Sequence, residues 1–557
     1  MTAGTAPLIR VWPWSRIYGL GSVFAKTLRD SRRATLIVGG VTGLLILAVA
    51  AGVASQFSTP EAREEISNII AAVPPVLQGL AGKPVNVETL GGYVQYKYGG
   101  FLPLMTGLWS ILALSGTLAG ETSRGSLDIL AAGPIGRRRI AIEKILGHVT
   151  PLAIAMALIG GLTAVAGSAF AALEGDEIPV GAAFAFAAWL GLMALVAGSI
   201  AFALAPFVGR GAAAGIAGAV MFAGFLLNGY QTAIPELAPF ANLTWFGWTD
   251  DHIPLGGRYD WPSMGLVSLV ALAFLAVGTE AFVRRDLGVT TSIPTPRLPR
   301  PLLGLGGPTG RAASERLSTS FSWGIGLGIF GLVIASSGGS FIEQIGESPV
   351  FTQAISTLFP GIDFGTIGGF LQLVFIEFGL VIVGLAAAAL VGGWASDETS
   401  GRLEMLLATP LARVRWLVSG GVGVFTGIAV IVVVTALGIA IGTLIAGGEL
   451  GIPVAGTLAI GLYGAALAGV GLAVGGLIGT AYAGPTVAGL TIVTWLLDLI
   501  GPVLSLPDWF QGLVLSSHMG QPMVGVWDAG GIVACLVLAV GGLVLGAWGF
   551  ARRDVRS

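Results

Sequence analysis

Of 557 residues, 54% are hydrophobic and only 10% charged, and the formal net charge is −2. A soluble chain carries roughly a quarter charged residues, so this composition excludes a surface that faces water on all sides. The near-neutral balance excludes a nucleic-acid partner, and the single cysteine, Cys535, excludes a disulfide framework or a thiolate metal site.

Apolar runs long enough to cross a bilayer occur at residues 34–53, 101–119, 147–170, 180–202, 212–228 and 264–282. A second set lies at 323–337, 370–395, 417–446, 454–478, 483–500 and 532–550. The expected fold is therefore an all-α polytopic membrane protein of about 12 transmembrane helices. The 88 glycines suit helices that pack backbone to backbone. An even count puts both termini on one side. With the termini cytoplasmic, every Lys and Arg except Arg63, Lys83, Lys97 and Arg258 falls inside, as the positive-inside rule requires. This predicts a multi-pass protein of the cell membrane.

Three segments recur in the same order. Thr-Leu-Gly-Gly-Tyr-Val-Gln at 89–95 returns as Thr-Ile-Gly-Gly-Phe-Leu-Gln at 366–372. Glu121, Gly125, Leu127, Asp128, Leu130, Pro134, Arg137 and Arg139 return as Glu398, Gly401, Leu403, Glu404, Leu406, Pro410, Arg413 and Arg415, with Arg124 as one extra residue in the first copy. Phe-x-Arg-Arg-Asp closes each half, at 282–286 and 550–554. Six spans per copy give both halves one orientation, a parallel repeat forming a pseudo-dimer. The halves are residues 1–287 and 314–557, joined by a Pro-rich cytoplasmic linker at 288–313.

The segments 121–139 and 398–415 lie inside, between the second and third spans. Leucines three apart share a helical face, a proline ends the short helix, and arginines follow. Such a pair suits docking of two copies of one cytoplasmic partner. Here the sequence resembles the type 2 ABC export permeases. The fused, twice-six-span form is similar to the permeases of actinobacterial polyketide-antibiotic (tetronasin-like) exporters. The resemblance implies two ATP-binding subunits on these coupling segments, with ATP and Mg bound there and no cofactor here. It also implies an elbow helix at 17–33 with a counterpart at 313–321, and export of hydrophobic or amphipathic small molecules across the bilayer.

The chain itself is not expected to be an enzyme. Of its lysines only Lys26 precedes a Thr, and Ala25 stands where a phosphate loop needs Gly. His148, expected at the inner boundary of a span, His252 and His518 are scattered. Glu377 is an acid inside an apolar run, opposite Gly100 of the first half, and is a candidate for the substrate path. The competing reading is an ion-coupled secondary transporter or a lipid-translocating protein, which would want carboxylates near the midplane.

Overall fold

The computed structural model describes residues 21–73, 78–79, 81–118, 135–232, 234–284, 306–347, 362–500, 512 and 514–554. They form an all-α polytopic membrane protein. The chain divides into two compact units, residues 1–71 with 78–294 and residues 72–77 with 295–557.

Unit 1 contains α1 (Val23–Gln56), α2 (Pro60–Ala71), α3 (Leu90–Tyr98), α4 (Leu102–Thr117), α5 (Arg137–Ala169), α6 (Val180–Tyr230), the single turns α7 (Ala238–Ala241) and α8 (Trp245–Trp248), and α9 (Trp261–Arg284). Unit 2 contains α10 (Pro308–Ser336), α11 (Gly338–Glu347), α12 (Ile367–Thr399), α13 (Arg402–Leu407), α14 (Arg413–Ile445), α15 (Gly451–Leu477), α16 (Thr480–Ile500), a two-residue hairpin of β1 (Gly520–Gln521) and β2 (Val526–Trp527), and α17 (Ala529–Arg552).

Among the described residues ten helices are long and apolar enough to cross a bilayer, eleven if the bent pair α3–α4 is one crossing. α6 has 51 residues, about 76 Å at 1.5 Å per residue, more than twice the roughly 30 Å of hydrocarbon. Gly209, at φ +80° and ψ 168°, breaks it shortly after Pro206. The apolar runs at 180–202 and 212–228 lie on either side of that break.

Close helix packing uses glycine. A Cβ on Gly438 of α14 would lie 2.1 Å from the Gly328 carbonyl oxygen of α10, so only a bare backbone fits. The outward faces are apolar. Val533, Val537, Val540 and Val544 of α17 recur every three or four positions, and each is more than half exposed, the stripe a helix turns toward lipid.

Among the described residues no separate elbow precedes either first helix. α1 runs unbroken from Val23, capped by the Ser22 hydroxyl on the Ala25 amide, and no Gly or Pro interrupts residues 23–33. Residues 23–33 therefore extend the span; residues 17–20 lie outside the described residues. The stretch 313–321 is likewise continuous within α10, which starts at Pro308 and so takes over part of the expected linker. Proline with its fixed φ suits the first helical position.

The N-terminal ends of α3 and α12 show what the first repeated motif does. Thr89 and Thr366 cap these helices, each accepting from the amide three residues on, Gly92 and Gly369. Gly91 and Gly368 let a loop carbonyl approach, from Leu255 and Met523 respectively. Gln95 and Gln372 accept from the amides of those same residues, at 2.8 and 3.0 Å. The loops match too: 3-10 turns at Pro254–Gly256 and Pro522–Val524 each end on a left-handed glycine, Gly257 and Gly525, before Asp260 and Asp528 cap the next helix.

The units differ in how this end is tied down. In unit 1, Arg63 and Asp176 form a bidentate pair at 3.0 and 2.9 Å, with side chains 3% and 1% exposed. Arg63 also donates to the Phe57 and Glu88 carbonyls, and Asp176 accepts from the Leu90, Ala172 and Leu173 amides. In unit 2 the residue matching Leu90 is Ile367, which packs against Gly338 and Gly448.

Candidate docking segments

Residues 119–134, and with them Glu121, Gly125, Leu127, Asp128, Leu130 and Pro134, lie outside the described residues. The second segment is described throughout. α12 stops at Thr399 and the chain reverses through Gly401, at φ +73°, a conformation that costs glycine least. α13 then makes a turn and a half. Its Leu403 is 0% exposed, whereas Met405 is 68% exposed. Leu403 is thus an anchor into unit 2. Glu404 and Met405 form the outward tip. Pro410 follows, and α14 starts after Ala412 with φ −63° and ψ 141°, the values that Gly136 takes before α5.

The segment is held rigidly at its base. The Glu398 carboxylate accepts from Arg553 through Nη1, at 2.8 Å, and through Nη2, and from the Thr480 hydroxyl at 2.7 Å. Arg413 donates to the Arg553 carbonyl oxygen at 3.1 Å. Two motifs read separately in the sequence therefore meet: the acid that opens the docking segment and the arginine pair that closes the half. Arg552 instead stacks on Trp548, 4.0 Å from its ring centroid. In unit 1 Arg284 pairs with Glu280 at 2.6 Å, and Glu280 also takes Arg138 at 2.6 Å.

Arg137–Arg139 and Arg413–Arg415 occupy first helical turns, where the macrodipole disfavours cations. In unit 1 Glu143 offsets this: it accepts from Arg139 Nε at 2.8 Å and from the Val23 and Phe24 amides at 3.1 and 3.3 Å. The matching position in unit 2 is Ser419. There a cleft of 570 Å³ opens between the start of α10, the end of α12, the α13–α14 connection and the start of α14. Leu406 and Pro410 line it, as do Arg415 and the buried Arg316 and Trp394. The pattern had not singled out Arg316 or Trp394, since neither belongs to a repeated motif.

Glu377 is exposed on α12, ten residues from its start. His148 is not at a boundary. It is 1% exposed, well inside α5, and its Nε2 lies 2.9 Å from the Ser110 hydroxyl. The helix begins ten residues before the apolar run because Arg137–Gly147 carry charges that hydropathy reads as loop. Cys535 is fully buried against Met519.

Residues 305–551 match the family model of the multidrug efflux system permease Rv1217c, C-terminal domain. Across 504 residues, 86% of this chain and 85% of the relative, the chain is 28% identical to the multidrug efflux system permease protein Rv1217c of Mycobacterium tuberculosis (strain ATCC 25618 / H37Rv).

Proposed function

We propose that the chain is the membrane-spanning permease of a drug exporter, an ABC-type efflux system whose ATP is bound and hydrolysed by two separate cytoplasmic subunits. The likeness to a multidrug efflux permease, spread over 86% of the chain, carries this reading. The Arg-rich end faces the cytoplasm in this proposal, with both termini there and twelve crossings as two parallel repeats. Hydrophobic or amphipathic molecules are the cargo, and the tetronasin-like subtype is the finer form of the reading. Glu377 remains the candidate for the substrate path.

The base of the docking segment supports a mechanical role. A partner that grips Glu404 and Met405 would load α12 through Gly401, α14 through Pro410, and α17 through Glu398 and Arg553. Met405→Asp tests this, because an exposed side chain can be changed at little cost to folding. The chain should insert normally, yet lose co-purification with the ATP-binding subunit and ATP-driven drug uptake into inverted vesicles. Unchanged binding and uptake would refute docking at α13. Uptake driven in the isolated chain by a proton gradient would refute the exporter reading itself.

A further inference from the structure

We propose that the cleft in unit 2 binds the phosphate of an anionic membrane lipid. The inference rests on the cleft's own chemistry and stands apart from the exporter reading. Five ionisable groups line it: Arg311, Glu315, Arg316, Asp397 and Arg415. Both acids are already engaged, Glu315 by Arg311 at 2.7 Å and Asp397 by Arg402 at 3.4 Å. Arg316 is only 6% exposed; its Nη1 donates to the Ala312 carbonyl while its Nε has no partner. The Trp394 indole N–H, also at the cleft, is buried and unpartnered. A buried donor without an acceptor is costly, and the cleft has more donors than its own acceptors satisfy.

Unit 1 shows what chemistry belongs there. Arg139 and Arg415 are equivalent, and so are Glu143 and Ser419. In unit 1 the Glu143 carboxylate bridges Arg139 and the first amides of α1. In unit 2 Ser419 reaches, among the described residues, only the Thr309 hydroxyl, at 3.2 Å, and α10 begins with no side-chain cap and no acid in its first turn. The exposed cation and the helix start are retained, a buried arginine, Arg316, is added, and no carboxylate stands at the position of Glu143. An anion from outside completes the arrangement, and a phosphate matches the guanidinium fork.

The surroundings favour a lipid as its source. Val418 and Val422 stand three and seven positions beyond Arg415, each 37% exposed, on the same helical face. Phe321 and Ile325 are exposed at 47% and 51% on α10, beyond Arg316. A headgroup in the cleft would lay its acyl chains along these side chains, with charge and apolar surface each matched.

The test uses the full-length chain, delipidated in neutral detergent, and reads affinity from thermal-shift titrations. Micelles doped with phosphatidylglycerol should raise the melting temperature saturably, and phosphatidylcholine should not. Ser419→Glu places unit 1's carboxylate in the cleft; it should keep or raise the melting temperature without lipid and weaken phosphatidylglycerol about tenfold or more, the worth of a charge-assisted bond. Arg316→Gln should weaken it similarly. Undiminished phosphatidylglycerol affinity in folded Ser419→Glu, or equal response to phosphatidylcholine, would overturn the site. An equal gain from inorganic phosphate would assign it to soluble phosphates and overturn the lipid.

Discussion

Glu398→Gln tests whether the candidate docking segment at 398–415 is locked to the end of α17. The amide keeps the side chain's size and one acceptor oxygen but removes the charge opposite Arg553. Both side chains are largely buried, Glu398 at 7% and Arg553 at 14% exposure. Removing one member of a buried pair costs about 3–5 kcal/mol. The retained oxygen and the residual exposure of Arg553 place this case near about 3 kcal/mol, which is about 150-fold in an opening equilibrium. Amide hydrogen exchange would read it at Ser400 and Gly401, whose N–H groups donate to the Ser396 and Glu398 carbonyls at 3.0 Å. Exchange there should accelerate roughly 100-fold, while amides in the middle of α14 stay protected. Combining Glu398→Gln with Arg553→Met removes the stranded charge and should restore a large part of the loss. Unchanged exchange at Ser400 and Gly401, or strictly additive single and double variants, would refute the lock.

Three further outcomes follow from other sites. Arg63→Met should destabilise unit 1 by about 3–5 kcal/mol, and adding Asp176→Leu should not restore it, because the Leu90, Ala172 and Leu173 amides then lose their acceptor; denaturant unfolding in detergent measures both. Gly438→Leu should prevent α10 and α14 from packing, since the Cβ alone would lie 2.1 Å from the Gly328 oxygen; protease resistance of unit 2 would report it, whereas Gly326→Leu, with open space around it, should be tolerated. His252 accepts from the Asp260 amide through Nδ1 at 3.0 Å, and burial lowers its pKa against the smaller raising influence of Asp260. The unfolded chain then binds the extra proton first, so stability is full above about pH 6.5 and falls as pH drops from there toward the folded value. Exchange at the Asp260 amide should rise over that window, and His252→Asn should flatten the response.

The helices were legible because membrane spans announce themselves by apolar length. The long-range ties were not. Arg63 and Asp176 are 113 residues apart, and in the sequence they read as scattered charges of two different outside loops. The Thr-x-Gly-Gly-x-x-Gln motif was visible, but its reason was hidden, because Gln95 reaches Leu255 and Gln372 reaches Met523, 160 and 151 residues away. The matching loops at 254–260 and 522–528 share only proline, glycine and aspartate, too few identities to stand out. At the second candidate docking segment, leucine spacing marked a helix but not which side faces inward. Leu403 is buried because α13 is only six residues long and must anchor itself.

The difference between Gly100 and Glu377 marks a change of backbone as well as of charge. α3 and α4 meet at a bend of 53°, whereas α12 continues straight through the corresponding residues. Gly99, Gly100 and Pro103 stand where unit 2 has Ile376, Glu377 and Leu380. Proline at 103 cannot donate to the Gly99 carbonyl, and its ring crowds that oxygen, while the two glycines weaken the helix just before it. Leu380 removes both problems in unit 2, so the helix hydrogen bonds run on past Glu377. The same sequence motif thus leads into a broken helix in unit 1 and an unbroken one carrying an acid in unit 2. An acid on a straight helix stays at one fixed depth, and a break of this kind absorbs a change of helix direction at Gly99–Phe101. In unit 1 Gln95, one turn before that break, is tied to the loop at Leu255, whereas in unit 2 Gln372 makes the equivalent tie from an unbroken helix.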